Sequence, residues 1–179
     1  MNIIIYGSQY GTAKQYSKEL AGQLNYELRS YDEVKDLDAY DNIIYIGSLY
    51  AGGILGMKKT FRKIRDIKNK NFIIATVGLG DPSEKSSTEA IKRGLKRQLP
   101  ENIFKRAHIF HLRGGVDYSR MSFVHKTMMG MLYKKVVSMP EEKRSADAKA
   151  MIETYNKKVS YVDLSKLAPI VSTAGSFSA

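Results

Sequence analysis

The chain of 179 residues, 43% of them hydrophobic, is long enough to bury a real core and reads as one domain over 1–179. It contains no cysteine, which excludes disulfides, thiolate metal sites and thiol redox chemistry, so any electron transfer requires a bound cofactor. The formal charge of +11 is uneven, with four basic and seven acidic residues in 1–50 and 25 basic against 11 acidic beyond; no recognisable nucleic-acid motif accompanies the basic part.

The first element is Asn2-Ile3-Ile4-Ile5-Tyr6, an apolar run without polar alternation, which predicts a parallel strand covered on both faces. After the turn Gly7 to Thr12 the apolar spacing becomes helical through Ala13, Tyr16, Leu20, Ala21 and Leu24. In a strand-turn-helix of this kind the turn amides and the hydroxyls of Ser8 and Thr12 converge at the positive end of a helix dipole, a place for a single phosphate. The plainer alternative is an ordinary turn in which Ser8 caps the helix. Neither a dinucleotide fingerprint nor a Walker loop is present.

Tyr26 to Tyr31 is the second strand candidate, followed by an acidic connection over 32–38. The third strand, Asn42 to Gly47, runs into the small, turn-prone stretch Ser48-Leu49-Tyr50-Ala51-Gly52-Gly53. A helical stripe follows at Met57, Phe61, Ile64 and Ile67. Phe72 to Val77 is the fourth strand, entering Gly78-Leu79-Gly80-Asp81-Pro82, and Ser86 with Glu89 forms a capping box for a helix that stops at Pro100. Ala107 to Leu112 is the last strand. This alternation predicts a doubly wound α/β sheet of about five strands, and three strands ending in Gly-rich loops point to one shared crevice at the carboxyl edge.

The remaining chain is less regular. Residues 118–139 are Met-rich with Arg120, His125, Lys126, Lys134 and Lys135 and no acid, a helical insertion with an apolar face beside a basic one. Such a helix either folds onto the sheet, makes a homodimer contact, or offers an adaptable surface to a quinone, a tetrapyrrole or an anionic membrane. Residues 172–179 read as a loose tail. With no signal pattern and no apolar stretch of membrane-spanning length, the expected location is the cytoplasm or the inner face of a membrane. His108, His111 and His125 lack metal-ligand spacing, and the first two read as packing positions.

On these residues the chain resembles the flavodoxin-like family, and within it the branch similar to bacterial menaquinone-dependent protoporphyrinogen oxidase, over roughly residues 2–137. The resemblance implies a five-stranded parallel sheet of order 2-1-3-4-5 with noncovalent FMN. It implies that Ser8, Gln9, Tyr10, Gly11, Thr12 and Ala13 hold the phosphate, with Ala13 standing where the family usually has a hydroxyl. Ser48, Leu49, Tyr50, Ala51, Gly52 and Gly53 resemble the flavin-edge loop, and Thr76, Val77, Gly78, Leu79, Gly80 and Asp81 the loop on the other side of the ring. Tyr50 is either a stacking aromatic or a rim residue, and Gly52 or Gly53 is either a peptide free to turn toward the flavin or simply a tight turn. The segment 112–139 is similar to the stretch that distinguishes the protoporphyrinogen oxidase branch. Three functions follow: an FMN-dependent electron carrier or oxidoreductase, a protoporphyrinogen oxidase with a menaquinone acceptor, or a non-redox basic module that binds an anionic partner.

Overall fold

Within β1 (Asn2–Gly7), Ile3 and Ile5 point to one side of the sheet and Ile4 to the other, and all three are fully buried. The structure, a computed structural model, describes residues 1–50 and 52–177, without the side chains of Ser86 and Ser87. Parallel neighbours repeat the same parity: β2 (Glu27–Ser30) and β3 (Asn42–Tyr50) flank β1, and β5 (Asn71–Gly78) and β6 (His108–Arg113) extend the sheet to give the order β2-β1-β3-β5-β6. The period-two alternation of a strand thus sorts the isoleucines into two cores. One core joins Ile3, Ile5, Ile43 and Ile74 to α2 (Met57–Phe61), α3 (Lys85–Gln98) and α4 (Glu101–Arg106). The other joins Ile4, Ile44 and Ile73 to α1 (Thr12–Leu24) and α7 (Ala168–Ser176). The five parallel strands and their order agree with the sequence reading.

Registers of Gly7 with Gly47, Gly47 with Thr76 and Val77 with Leu112 bring the strand ends to one edge of the sheet. Between β1 and β3 the winding reverses, and such a reversal opens a crevice beyond the carboxyl ends. Above this edge the chain builds a second layer. It consists of β7 (Gly115–Asp117), α5 (Phe123–Val137), α6 (Ala146–Thr154) and β8 (Lys158–Ser160), with β8 antiparallel to β7. Its cluster holds Val116, Tyr118, Met121, Met129, Val136 and Met151.

Several expectations are corrected. The helix expected through Ile67 stops at Phe61, and Ile64 and Ile67 reach the first core from irregular backbone. Continuation would align Lys59 with Lys63 at repulsive i,i+4 spacing. α3 starts at Lys85 with Glu84 at its N-cap, so Ser86 sits inside the first turn rather than capping it, and its side chain lies outside the described residues. β3 continues past Gly47 to Tyr50 and folds back on β4 (Gly53–Ile54) as a hairpin. The expected loose tail is mostly α7: Ile170 and Ala174 are fully buried against the sheet, because the stripe of small and apolar residues fits beside α1. Ser178 and Ala179 lie outside the described residues.

Candidate functional site

Gly11 sets the geometry of the first loop. It occupies the N-cap of α1 in the left-handed region, φ 92°, where a side chain is strained, and no side chain caps the helix. Ser8 Oγ instead accepts the Gly11 amide at 3.1 Å, so the capping role considered for Ser8 is not the one it has. The first intrahelical bond is Gln15 N–H to Gly11 O at 3.0 Å, which leaves the amides of Thr12, Ala13 and Lys14 ahead of it at the positive end of the dipole. Ala13 is fully buried in the second core, so its side chain faces the sheet and only its backbone remains at the loop.

The second loop is a hairpin rather than an open turn. Leu49 pairs with Ile54 and Tyr50 with Gly53, while Gly52 takes φ 78°; of the two glycines considered for a positive φ, Gly52 is the one that has it. Gln98 Oε1 of α3 accepts the Ile54 amide at 2.8 Å and ties the hairpin to the helix. Ser48 is buried and Tyr50 half-buried, and Ala51 lies outside the described residues. The Tyr50 hydroxyl reaches Met128 Sδ of α5 at 3.6 Å.

His125 joins the two loops. The Gln9 side-chain amide donates to His125 Nε2 at 3.2 Å, and the imidazole stands edge-on to the rings of Tyr10 and Tyr50 at centroid distances of 6.3 and 6.5 Å. Sequence reasoning weighed this residue only as a metal ligand or as part of a basic helix face and missed its role between the loops, because its partners lie far away in the chain. Ser122 carried a usable signal: its hydroxyl accepts the His125 amide as an N-cap and so fixes the residue in the first turn of α5.

Two tyrosine hydroxyls nearby, Tyr10 Oη and Tyr118 Oη, are buried without a hydrogen-bond partner among the described residues. Burial, then neighbouring Tyr50, raises the Tyr10 pKa; burial, then Tyr155 and Tyr10, pushes Tyr118 up to about 12. An unpaired buried hydroxyl is costly, and such atoms at a site mark where a polar partner belongs.

The third loop is placed differently. Thr76 and Val77 are buried within β5, and Thr76 Oγ1 lies 2.7 Å from His111 Nδ1. Burial lowers the His111 pKa, with Asp147 acting in the opposite direction. Gly78, Leu79 and Gly80 lie beneath the first turn of α6. The Gly80 amide donates to Asp147 Oδ1 at 2.8 Å, and a side chain at Gly80 would meet Asp147 N at 2.6 Å. The Arg113 guanidinium donates twice to Leu79 O at 3.1 and 3.3 Å, lies 3.9 Å over the Tyr161 ring and approaches Asp81 at 4.0 Å. Hydrogen bonds from Ser83 hold the Asp81 carboxyl below its ordinary range. The structure therefore brings Gln9 and Tyr10 of the first loop and Tyr50 of the second together beneath α5 and sets Gly78 and Gly80 beneath α6, with Leu49 against Gly78. His111 packs as expected, whereas His108 is exposed beside Phe177, their rings 5.6 Å apart. Among the described residues no cluster of acids and histidines could hold a metal ion.

These residues fit a phosphate ester that carries a polar ring. The uncapped helix start suits the phosphate, the space about the Cβ position of Gly11 is open to 4 Å, and the Tyr10 hydroxyl has no partner among the described residues. Residues 3–144 match the family model described as the flavodoxin domain. Among solved structures, a flavoprotein from Lactobacillus acidophilus NCFM in complex with FMN aligns at 11% identity over 63% of this chain and 91% of its own, with a TM-score of 0.45. A point mutant of the flavodoxin from Pseudomonas aeruginosa aligns at 20% identity over 85% and 99%, TM-score 0.40. A mutant Fusobacterium nucleatum flavodoxin bound to flavin mononucleotide aligns at 16% over 68% and 72%, TM-score 0.42. No curated protein matches the chain.

Proposed function

The chain belongs to the flavodoxin domain family, and from that premise we propose that it is a redox protein that holds FMN noncovalently at the carboxyl edge of its sheet. The observation that carries this reading is the first loop: an uncapped helix start behind a left-handed glycine, at the end of β1 where the sheet reverses its winding. The amides of Thr12 to Lys14 and the hydroxyls of Ser8 and Thr12 hold the phosphate. Tyr10 supplies a hydroxyl to a polar atom of the ligand, and Tyr50 an aromatic wall. When bound, the flavin supplies one- and two-electron transfer. His125 and Met128 of α5 close the two loops against water and so keep the bound group in a site of low polarity. A carrier and an oxidoreductase share this arrangement.

Titration of the ligand-free protein with FMN, riboflavin and FAD tests the proposal. FMN is expected to bind tightest, with quenched flavin fluorescence; a protein that takes up none of them is instead the basic, non-redox module. A narrower reading is an oxidase of protoporphyrinogen with a menaquinone acceptor. Its support is the likeness of residues 112–139 to that branch and the apolar side chains that α5, the helix whose Met128 touches Tyr50, leaves exposed. FMN-loaded protein that fails to oxidise protoporphyrinogen with a menaquinone present would leave the carrier.

A further inference from the structure

Apart from Met1, every large apolar side chain that stands exposed among the described residues belongs to α5. Phe123 is 84% exposed, Val124 72% and Met131 63%, and Leu132 and Val137 complete the set. The helix buries Met129 and Val136 toward the cover, and Val124 and Met131, seven positions apart, lie on the side turned away from them. Lys126, Lys134 and Lys135 stand exposed among these residues, and the helix carries no acid.

Large exposed apolar side chains gathered on one helix call for a partner. A second copy of this chain is a poor one, because a symmetric contact would bring the lysines of two molecules of formal charge +11 together. A surface that is negative and has an apolar layer beneath its charge satisfies both halves of the helix. A single convex helix can sink Val124 and Met131 into such a layer while the lysine stems lie along it with their ammonium groups at the headgroups. We infer that α5 is a docking helix for an anionic lipid bilayer. The inner side of the same helix carries His125 and Met128, so the docked protein holds the Gln9, Tyr10 and Tyr50 side of the candidate site next to the bilayer surface. Docking itself requires no flavin, and FMN titration of the same samples reports on the cofactor reading separately.

Sedimentation with vesicles of phosphatidylglycerol and phosphatidylcholine in equal parts, against vesicles of phosphatidylcholine alone, tests the inference. The wild-type chain is expected to pellet with the anionic vesicles only and to be released by salt. A Lys126→Gln, Lys134→Gln, Lys135→Gln variant should lose roughly fivefold in partitioning per lysine, on the order of a hundredfold in all. A Val124→Ser, Met131→Ser variant should lose about tenfold, with unchanged far-ultraviolet circular dichroism, since both positions are exposed. Three results would overturn the inference: no wild-type binding to anionic vesicles, undiminished binding of the double serine variant, or a lipid-free dimer in analytical ultracentrifugation that the double serine variant abolishes.

Discussion

The cores on the two faces of the sheet and the cluster above its edge are built from different material. On the sheet faces, isoleucines from neighbouring strands are fully buried and their polar neighbours are satisfied; even the buried Lys70 ammonium donates to the carbonyls of Leu37, Asp38 and Tyr40. Over the edge Met and Tyr predominate beside Val116 and Val136, several of them slightly exposed, and two tyrosine hydroxyls lack partners among the described residues. Branched side chains with few rotamers specify one packing, whereas thioethers adapt to what lies against them. The frame is thus fixed by its own contacts, and the cover is left more adaptable above the candidate site.

Truncations compare the two regions most directly. Ile73→Ala in the second core should cost about 2–5 kcal/mol in urea denaturation, and Met129→Ala in the cover should fall at the low end of that range. Equal costs would break the contrast. At the boundary, Gly11→Val places a β-branched residue at a left-handed N-cap; it should destabilise the ligand-free protein by about 1–2 kcal/mol and weaken FMN at least about tenfold in a fluorescence titration. Full FMN affinity in that variant would remove the phosphate assignment.

Tyr10→Phe sharpens the comparison from the cover side. Removal of an unpartnered buried hydroxyl should stabilise the ligand-free protein by about 1 kcal/mol while lowering FMN affinity. Unchanged stability and unchanged affinity would show that the hydroxyl plays no part in binding. The smallest expected effect lies at His111, which touches Thr76 of the sheet and senses Asp147 of the cover. Its folded pKa is lowered below the unfolded value, so the unfolded chain takes up the proton first as pH falls. Stability is therefore fully present above about 6.5, the unfolded pKa, and declines as pH falls from there toward the lowered folded value. His111→Asn should flatten that part of a melting temperature profile against pH; an unaltered profile would place the titration elsewhere.

The frame was legible in the sequence because its signals are local. Unbroken runs such as Ile3-Ile4-Ile5 and Ile43-Ile44 mark strands covered on both faces, and the stripe Ala13, Tyr16, Leu20 marks the first helix. Loops at the ends of β1 and β3 follow from that alternation, which is why the place of the candidate site was readable. The cover was not. β8 pairs with β7 across more than forty residues of chain, His125 meets Gln9 and Tyr50 from a different layer, and α6 lies on Gly80; no periodicity encodes such contacts. Met57 to Ile67 misled for a different reason: four apolar residues at helical spacing are needed by the core whether or not the chain between them is helical.

The position of α7 has a consequence for the order in which the protein is made. The second core takes Ile4 from β1 and Tyr16 and Leu20 from α1, and is closed by Leu167, Ile170 and Ala174. During synthesis the first core can be completed once β6 has left the ribosome, whereas the α1 side lacks its last covering helix until residues 168–176 follow. For the time it takes to translate β7 through β8, the nascent chain carries a half-covered sheet. Tyr16 shows how that interval ends: its hydroxyl donates to Arg113 O at 2.8 Å and accepts the Asp163 amide at 2.9 Å, drawing the late segment onto a helix made among the first.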